Sequence, residues 1–541
     1  TGNLGQTGVL PDGGNVGLAI LPSTAGGVTG AAAFTGVVTG YASGHEGKMQ
    51  INGGTLSVSA DNFLGAAPVT VDASKITLNG GTLQATDSFT LNANRGITLG
   101  SSGGTFTVDA AKSVAYAGVM AGTGGLTKSG SGTLTLTGAD TYSGGTTVST
   151  GSLVAGGAAN ALGTGSVSVA SRLSFDTTAA ATYANNVSIS GTGIVENIGN
   201  KAITFTGVVN TNLTASTLVD GGAAGITISG NATPTGQGAG YSIKGNVTFQ
   251  GHNLNTLVIR SVGEAKATFA ASGLVNNFTL WWIGGADSTT PMSIEVNSGL
   301  TVSEGATQGA GNLYYKNFSG AGTLNLGGTT STGYVLGDSS IATLISSGSK
   351  TISIGNGGAA GRLLSGNVQA NSGLLLNSTT DYTFTGVQSI GTLTKQGAGT
   401  VTLTNANTSP SNITISNGIL QIGAAGTTGS IAGNTAVAAG AGLVFSRSNA
   451  MLYAGNISGL GTVSKLGNNV LTLTGTQSYT GATATGDAGG GLVFTNNTRP
   501  STLSFTGNGT VTIQPAAAGS FGATLSTSAY SFADTLTGLT L

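Results

Sequence analysis

Short runs of alternating apolar and polar residues recur along the whole chain. In Thr133-Leu134-Thr135-Leu136-Thr137, Leu alternates with Thr. A period of two marks a strand with one buried face: Leu turns inward and Thr outward. Gly, Asn and Ser punctuate the runs. These residues suit tight turns, because they tolerate positive φ or bond their own backbone. No stretch stands out with apolar residues at the three-and-four spacing of a helix. The pattern predicts an all-β chain of many short strands and turns, and argues against a helix-rich enzyme domain.

The strand–turn pattern also repeats. Gly-Gly-Thr-Leu stands at Gly53–Leu56 and Gly80–Leu83, Gly103–Phe106 carries Phe for Leu, and Gly124-Gly125-Leu126 follows, at intervals of 27, 23 and 21 residues. A longer unit begins at a lysine. Lys128, Lys395 and Lys465 are each followed six residues later by Leu134-Thr135-Leu136-Thr137, Val401-Thr402-Leu403-Thr404 and Leu471-Thr472-Leu473-Thr474. Tyr142 and Tyr479 both lie 14 residues after their lysine, and Gly151 and Gly418 both lie 23 after. The third copy leaves this register near Gly486. A further piece, small-Gly-x-Gly before apolar residues, stands at Ala121–Leu126, Ser190–Val195, Ser319–Leu324 and Ser458–Val463.

A coil of this length cannot cover its own apolar face, and a second coil stacked on it closes that face. The expected fold is therefore a right-handed parallel β-helix, a β-solenoid forming a single elongated rod. With strands about 4.8 Å apart and about 22 residues per coil, it would hold about 24 coils and run on the order of 115 Å. Residues 1–40 lack the tetrad and are expected to be a cap, a first coil or a docking arm. Residues 41–200 and 321–541 read as solenoid with repeats. Residues 201–320, which hold both Trp and Pro234, read as a divergent stretch or an insertion.

Composition narrows the function classes. Of 541 residues 96 are Gly, 8 are Pro and none is Cys; 39% are hydrophobic and 6% charged. So much apolar surface with so little charge excludes an ordinary disordered chain, and Gly without a three-residue period excludes collagen. A net charge of −1 without a basic patch argues against a nucleic-acid partner. No apolar run reaches the roughly 18 residues of a membrane helix. The chain begins at Thr1 without an apolar leader, and is read as a mature or trimmed product.

Residues 122–148 carry a recognisable motif. It runs Gly122-Thr123-Gly124-Gly125-Leu126-Thr127-Lys128, then Gly132-Thr133-Leu134-Thr135-Leu136-Thr137-Gly138, then Thr141-Tyr142-Ser143-Gly144-Gly145-Thr146-Thr147-Val148. This resembles the autotransporter-associated β-strand repeat, also called the passenger-associated transport repeat. Asn94-Arg95-Gly96-Ile97-Thr98-Leu99 is similar to a flank often seen beside it. The resemblance covers roughly 50–195, weakens over 386–480 and is faint elsewhere. It implies a right-handed parallel β-helix outside a bacterial cell. Such proteins commonly end in a membrane barrel, and the sequence after the last repeat is too short for one. The resemblance implies no catalytic residue.

Candidate chemistry is sparse. His45 and His252 are far apart, and with no Cys a transition metal would need a carboxylate cluster that neither His has nearby. No cofactor or metal is expected. Asp87 and Asp109, one coil apart, form the nearest approach to a carboxylate pair of the glycosidase type, against the simpler reading of two solvated side chains. Glu295 and Glu304 are closer in sequence but less than a coil apart. The three recurrent lysines read as charged turns that keep a strand from pairing with another molecule. Trp281 and Trp282 are the most pointed signal. Neighbours on a strand face opposite sides, so one ring must lie outside, under a loop, a second subunit or a sugar.

Three functions follow in order. The first is a structural subunit of an extracellular filament, sheath or surface layer, self-associating head to tail through open ends. The second is an autotransporter-like adhesin or passenger stalk that meets a glycan or another cell-surface ligand. The third, a polysaccharide-degrading enzyme, comes last.

Overall fold

In the computed structural model the alternating runs become strands, most of three to five residues and a few much longer, such as Leu257–Ala270 and Leu313–Asn325, that stack on the coil before them. The structure describes residues 48–514 except 158–159, 212–216, 231–239, 251–256, 271–276, 285–290, 305–312, 328–331, 347–349, 360–361, 387, 406–411, 487–488 and 496–502, together with the strands Leu18–Ile20, Ala33–Phe34, Tyr530–Phe532 and Gly538–Thr540. Among these residues every strand pairing between coils is parallel, and the one helical turn is a 3₁₀ turn at Asp61–Leu64. The fold is a parallel β-solenoid, as the repeats predict.

The chain divides into two compact units, Thr1–Gln250 and Gly251–Leu541. In the first, a nine-stranded parallel sheet runs from Ala33–Phe34 through Thr55–Val58, Thr82–Ala85, Gly104–Val108, Leu126–Ser129, Thr146–Val148, Val167–Val169 and Val187–Ile189 to Val209–Thr211. Each coil adds one strand to it and others to neighbouring faces. Met120–Gly122, Leu126–Ser129 and Thr133–Leu136 make one such coil. The second unit contains an eight-stranded parallel sheet from Tyr382–Phe384 to Tyr530–Phe532 and a five-stranded one from Met451–Tyr453 to Gly538–Thr540.

Stacking in register turns a period of two into continuous columns. Leu56, Leu83 and Phe106 are successive partners on the inward side, and Val148, Val169 and Ile189 continue the line. Each is buried, and a buried side chain of this kind contributes about 1.5–3 kcal/mol. The outer positions form polar ladders. Ser57 Oγ donates to Gln84 Oε1 at 2.8 Å, and Gln84 Nε2 donates to Asp109 Oδ1 at 2.7 Å, linking three coils. Asn side chains do the same at a corner: Asn434 Oδ1 accepts from Asn456 N at 3.0 Å, and Asn456 Oδ1 from Thr476 N at 2.7 Å.

The Gly-Gly tetrads have two separate physical reasons. Gly103 takes φ +71°, a conformation that costs an L side chain about 1–2 kcal/mol. Gly81 has no room, since a Cβ there would lie 2.2 Å from Ile51 Cγ2 of the preceding coil.

Candidate functional site

The three recurrent lysines are not outward charges. Lys128 and Lys395 are 0% exposed and Lys465 1%. Lys128 stands within the inward column, between Phe106 and Val148. Lys395 stands between Leu376 and Ile415, and Lys465 between Phe445 and Thr485. The aliphatic stem fills a core position while the ammonium reaches backbone carbonyls at the corner. Lys128 Nζ donates to Ser129 O and Gly130 O at 2.7 Å each, and to Thr150 O on the next coil at 3.2 Å. Three acceptors match the three N–H groups of an ammonium. Lys395 Nζ donates to Gly397 O, and to Asn417 O at 3.1 Å, and Lys465 Nζ donates to Gly467 O. Burial pushes Lys128 and Lys395 down to about 8. The expectation of a strand-blocking surface charge is thus overturned. In the first two copies the lysine is a clamp that joins its own turn to the following coil, and in the third it binds its own turn.

The glycine at a fixed distance completes this clamp. A Cβ on Gly151 would lie 2.9 Å from Lys128 Nζ, and one on Gly418 would lie 2.6 Å from Lys395 Nζ. In the third copy the equivalent contact comes from Gly490, whose Cβ would lie 2.0 Å from Lys465 Nζ. A second buried polar cluster sits at the neighbouring corner. Tyr116 OH donates to Arg95 O at 2.7 Å, and Tyr142 OH donates to Thr146 Oγ1 at 2.6 Å, which in turn donates to Leu162 O at 2.9 Å. Between them Asp140, 1% exposed, accepts from Met120 N at 2.7 Å through Oδ1, while its buried Oδ2 has no partner among the described residues. Burial raises this carboxyl to about 7.

Arg95, singled out only as part of a flanking run, carries a large structural role. It is 0% exposed and closes a bidentate pair with Asp61 at 2.9 and 3.1 Å. It also donates to the carbonyls of Asp61, Leu64, Gly65 and Ala66 at 3.2, 3.0, 2.5 and 3.3 Å. A guanidinium has five N–H groups in a planar fork, and this loop supplies acceptors around the whole of it.

The carboxylates singled out in the sequence find partners other than each other. Asp87 pairs with Lys112 at 2.8 Å, and that contact holds its carboxyl below the ordinary range. Asp109 accepts from Gln84, as above. Glu295 pairs with Lys266 at 2.5 Å. The side chain of Glu304 and both histidines, His45 and His252, lie outside the described residues. An in-register carboxylate pair, missed in the sequence, is Glu196 beside Asp220. Each has its own cation, Arg172 at 2.6 Å and Lys244 at 2.9 Å, which makes the column a charge-paired ladder. Alternating short strands give no sequence cue for such a pairing, because it depends on which residues share a column. No group of three or more His, Cys, Asp or Glu able to hold a metal occurs among the described residues.

Trp281 and Trp282 lie on the strand Asn277–Gly284, and their side chains lie outside the described residues. The backbone there breaks the simple alternation: Leu257 pairs with Leu280 but Val258 with Trp282, so the register shifts across Trp281. In the same unit Tyr314 and Tyr334 are register partners on the outer face, with rings stacked 5.3 Å apart at 12°. Every other ring pair among the described residues is buried.

Residues 126–155, 393–422 and 463–484 match the passenger-associated-transport-repeat family. Each match contains one of the buried lysines, and the chain thus carries three such repeats. Over 174 residues the chain is 38% identical to the protein named Adhesin BmaC autotransporter, from Brucella suis biovar 1 (strain 1330); the match covers 30% of this chain and 5% of that protein. No solved structure matches the chain.

Proposed function

We propose that this chain is a length of the passenger of an autotransporter-type bacterial adhesin, held outside the cell as a stack of coils that combines spacing with ligand contact. The observation that carries this reading is the coincidence of the three family matches with one built feature, a lysine buried in the inward column and bound to the carbonyls of its corner. The relative at 38% identity, named as an adhesin autotransporter, supports the same reading. The physics is consistent with it. A solenoid converts chain length into surface, and its thin core is filled by columns of side chains. The comparisons favour this passenger reading over the filament or sheath subunit placed first in the sequence analysis.

The contact surface we propose is the outer face of the second unit around the strand of Trp281 and Trp282 and the stacked pair Tyr314–Tyr334. Aromatic rings with polar tips suit a sugar ring or another partly apolar ligand.

Display of the chain on a bacterial host, fused to a translocating outer-membrane barrel, tests the reading. The expected result is surface exposure by antibody binding and adherence to epithelial monolayers several-fold above that of the barrel alone. Exposed chain with adherence equal to the barrel alone would sink the adhesin reading. Loss of that adherence in Trp281→Ala/Trp282→Ala assigns the aromatic surface; unchanged adherence removes it.

A further inference from the structure

The corner that receives Lys395 carries an Asn-Gly pair, unlike its counterparts. The first repeat has Thr150-Gly151 there and the third Gly489-Gly490, whereas the second has Asn417-Gly418. Asn417 is exposed and Gly418 half-buried. Gly418 N donates to Asn417 Oδ1 at 2.8 Å, which brings the backbone nitrogen against the side-chain amide that precedes it. A glycine adds no side chain to shield that nitrogen. The oxygen of the same peptide bond, Asn417 O, accepts from Lys395 Nζ at 3.1 Å. The other Asn-Gly pairs among the described residues are arranged differently. Gly80 N donates to Gly103 O at 2.6 Å, Gly357 N to Asn377 O at 2.8 Å, and Gly509 N to Thr485 Oγ1 at 3.2 Å. Asn52 Oδ1 accepts from Gln50 Nε2 at 2.9 Å rather than from Gly53 N.

We propose that Asn417 is a self-modification site, converted to isoaspartate without an enzyme, and that Lys395 activates it. Loss of the proton from Gly418 N places negative charge on the peptide, shared with Asn417 O. The Lys395 ammonium stabilises that charge at the oxygen it already contacts, as a preorganised donor does at a developing oxyanion. The nitrogen then attacks Asn417 Cγ, which the 2.8 Å contact to Oδ1 holds beside it. A Cγ–N bond forms, the Cγ–Nδ2 bond breaks, and Nδ2 leaves as ammonia with the proton released from Gly418 N. The product is a cyclic imide. Water opens this ring at the main-chain carbonyl, the one polarised by Lys395, so the chain runs on through Cγ. The former Asn417 O becomes part of a free carboxylate that stands at the ammonium. A charge-assisted ion pair thus replaces an ammonium–carbonyl contact. Thr150 and Gly489 carry no side-chain amide, so the other two corners cannot react in this way.

The full chain is incubated for weeks at neutral pH, folded and in urea, then digested. Mass spectrometry of each Asn-Gly peptide reads amide loss, and enzymatic methylation reads isoaspartate. In urea the sites should convert at similar rates, because only local sequence remains. In the folded chain Asn417 should convert about ten-fold faster than Asn79, Asn356 and Asn508, and faster than it does in urea. Isoaspartate should dominate over aspartate there. Lys395→Met should slow Asn417 about ten-fold and leave Asn508 unchanged. Were that variant to unfold, Asn79, Asn356 and Asn508 would rise to their urea rates, and the ratio of folded to urea rates in the parent then decides. Slower conversion of Asn417 in the folded parent than in urea would overturn the proposal. So would a folded Lys395→Met variant that converts at the parent's rate, or a product that is mainly aspartate.

Discussion

The first and third repeats are built alike in one corner and differently in the next. Both hold a tyrosine 12 residues before the lysine, Tyr116 and Tyr453, whose hydroxyls donate to a carbonyl of the preceding coil at 2.7 Å. Both hold a second tyrosine bonded to a threonine four residues on, Tyr142 with Thr146 at 2.6 Å and Tyr479 with Thr483 at 2.8 Å. They differ at the position between. Asp140 fills it in the first repeat and Gln477 in the third. Each is buried and each leaves one oxygen without a partner among the described residues. The repeats differ again at the glycine beside the ammonium, which comes 23 residues after Lys128 as Gly151 but 25 after Lys465 as Gly490. The coil absorbs two extra residues at its corner and still delivers a glycine to the same place. What is held constant is a position in space beside Nζ, while the sequence interval varies around it.

The largest effect should come from filling that position. Gly151→Ala meets a positive φ of +70° and places a Cβ 2.3 Å from Gly130 O and 2.5 Å from Gly132 O. The strain and clash together should cost about 3 kcal/mol or more. Gly490→Ala should cost a similar amount, by displacing Lys465. Because solenoid stability is local, hydrogen exchange should show the loss in Ser152–Gly157 and in Gly491–Phe494 respectively. Equal protection in variant and parent would break the equivalence of the two corners.

Replacing the lysine itself tests the clamp. Lys128→Met preserves the stem but leaves the carbonyls of Ser129, Gly130 and Thr150 without their donor. Unsatisfied buried groups cost about 1–3 kcal/mol each, and relief from burying a charge offsets part of that. A net loss of about 2 kcal/mol in denaturant unfolding is expected. A stabilised variant would mean that the charge, and not the carbonyls, dominates.

The difference at Asp140 gives a pH signature. Its folded-state carboxyl lies at about 7, above the ordinary 3.8. Folding therefore favours the protonated form. That contribution is complete below pH 4 and is lost as pH rises to about 7. Asp140→Asn should be more stable than the parent at pH 8, by on the order of 2 kcal/mol, with the advantage gone at pH 4. Gln477→Glu should import the same dependence into the third repeat, which otherwise lacks it. Guanidinium unfolding at the two pH values distinguishes these outcomes. The smallest effect belongs to Tyr142→Phe and Tyr479→Phe, each expected to cost about 1 kcal/mol for one lost hydrogen bond. A pair of unequal values would show that the two corners are not interchangeable.

The lysines also show how a legible pattern can be overruled by a general expectation. Leu126-Thr127-Lys128, Leu393-Thr394-Lys395 and Val463-Ser464-Lys465 alternate with period two. That alternation already puts the lysine on the apolar side. A charged residue is so rarely buried that the outward reading prevailed. The carbonyls that make burial tolerable come from the corner and, for Lys128 and Lys395, from the following coil about 22 residues away. The Arg95 clamp was hidden for the same reason, since its partners at Asp61–Ala66 lie 29–34 residues earlier.

The sequence alone determined the strand period, the approximate coil length and the parallel stacking, because each follows from local alternation and from turns placed at regular intervals. Only the tertiary structure decided which polar side chains go inside and which carboxylate meets which cation. Those outcomes depend on the column a residue joins. A column is assembled from several coils, whose lengths vary just enough that counting along the chain does not predict their neighbours.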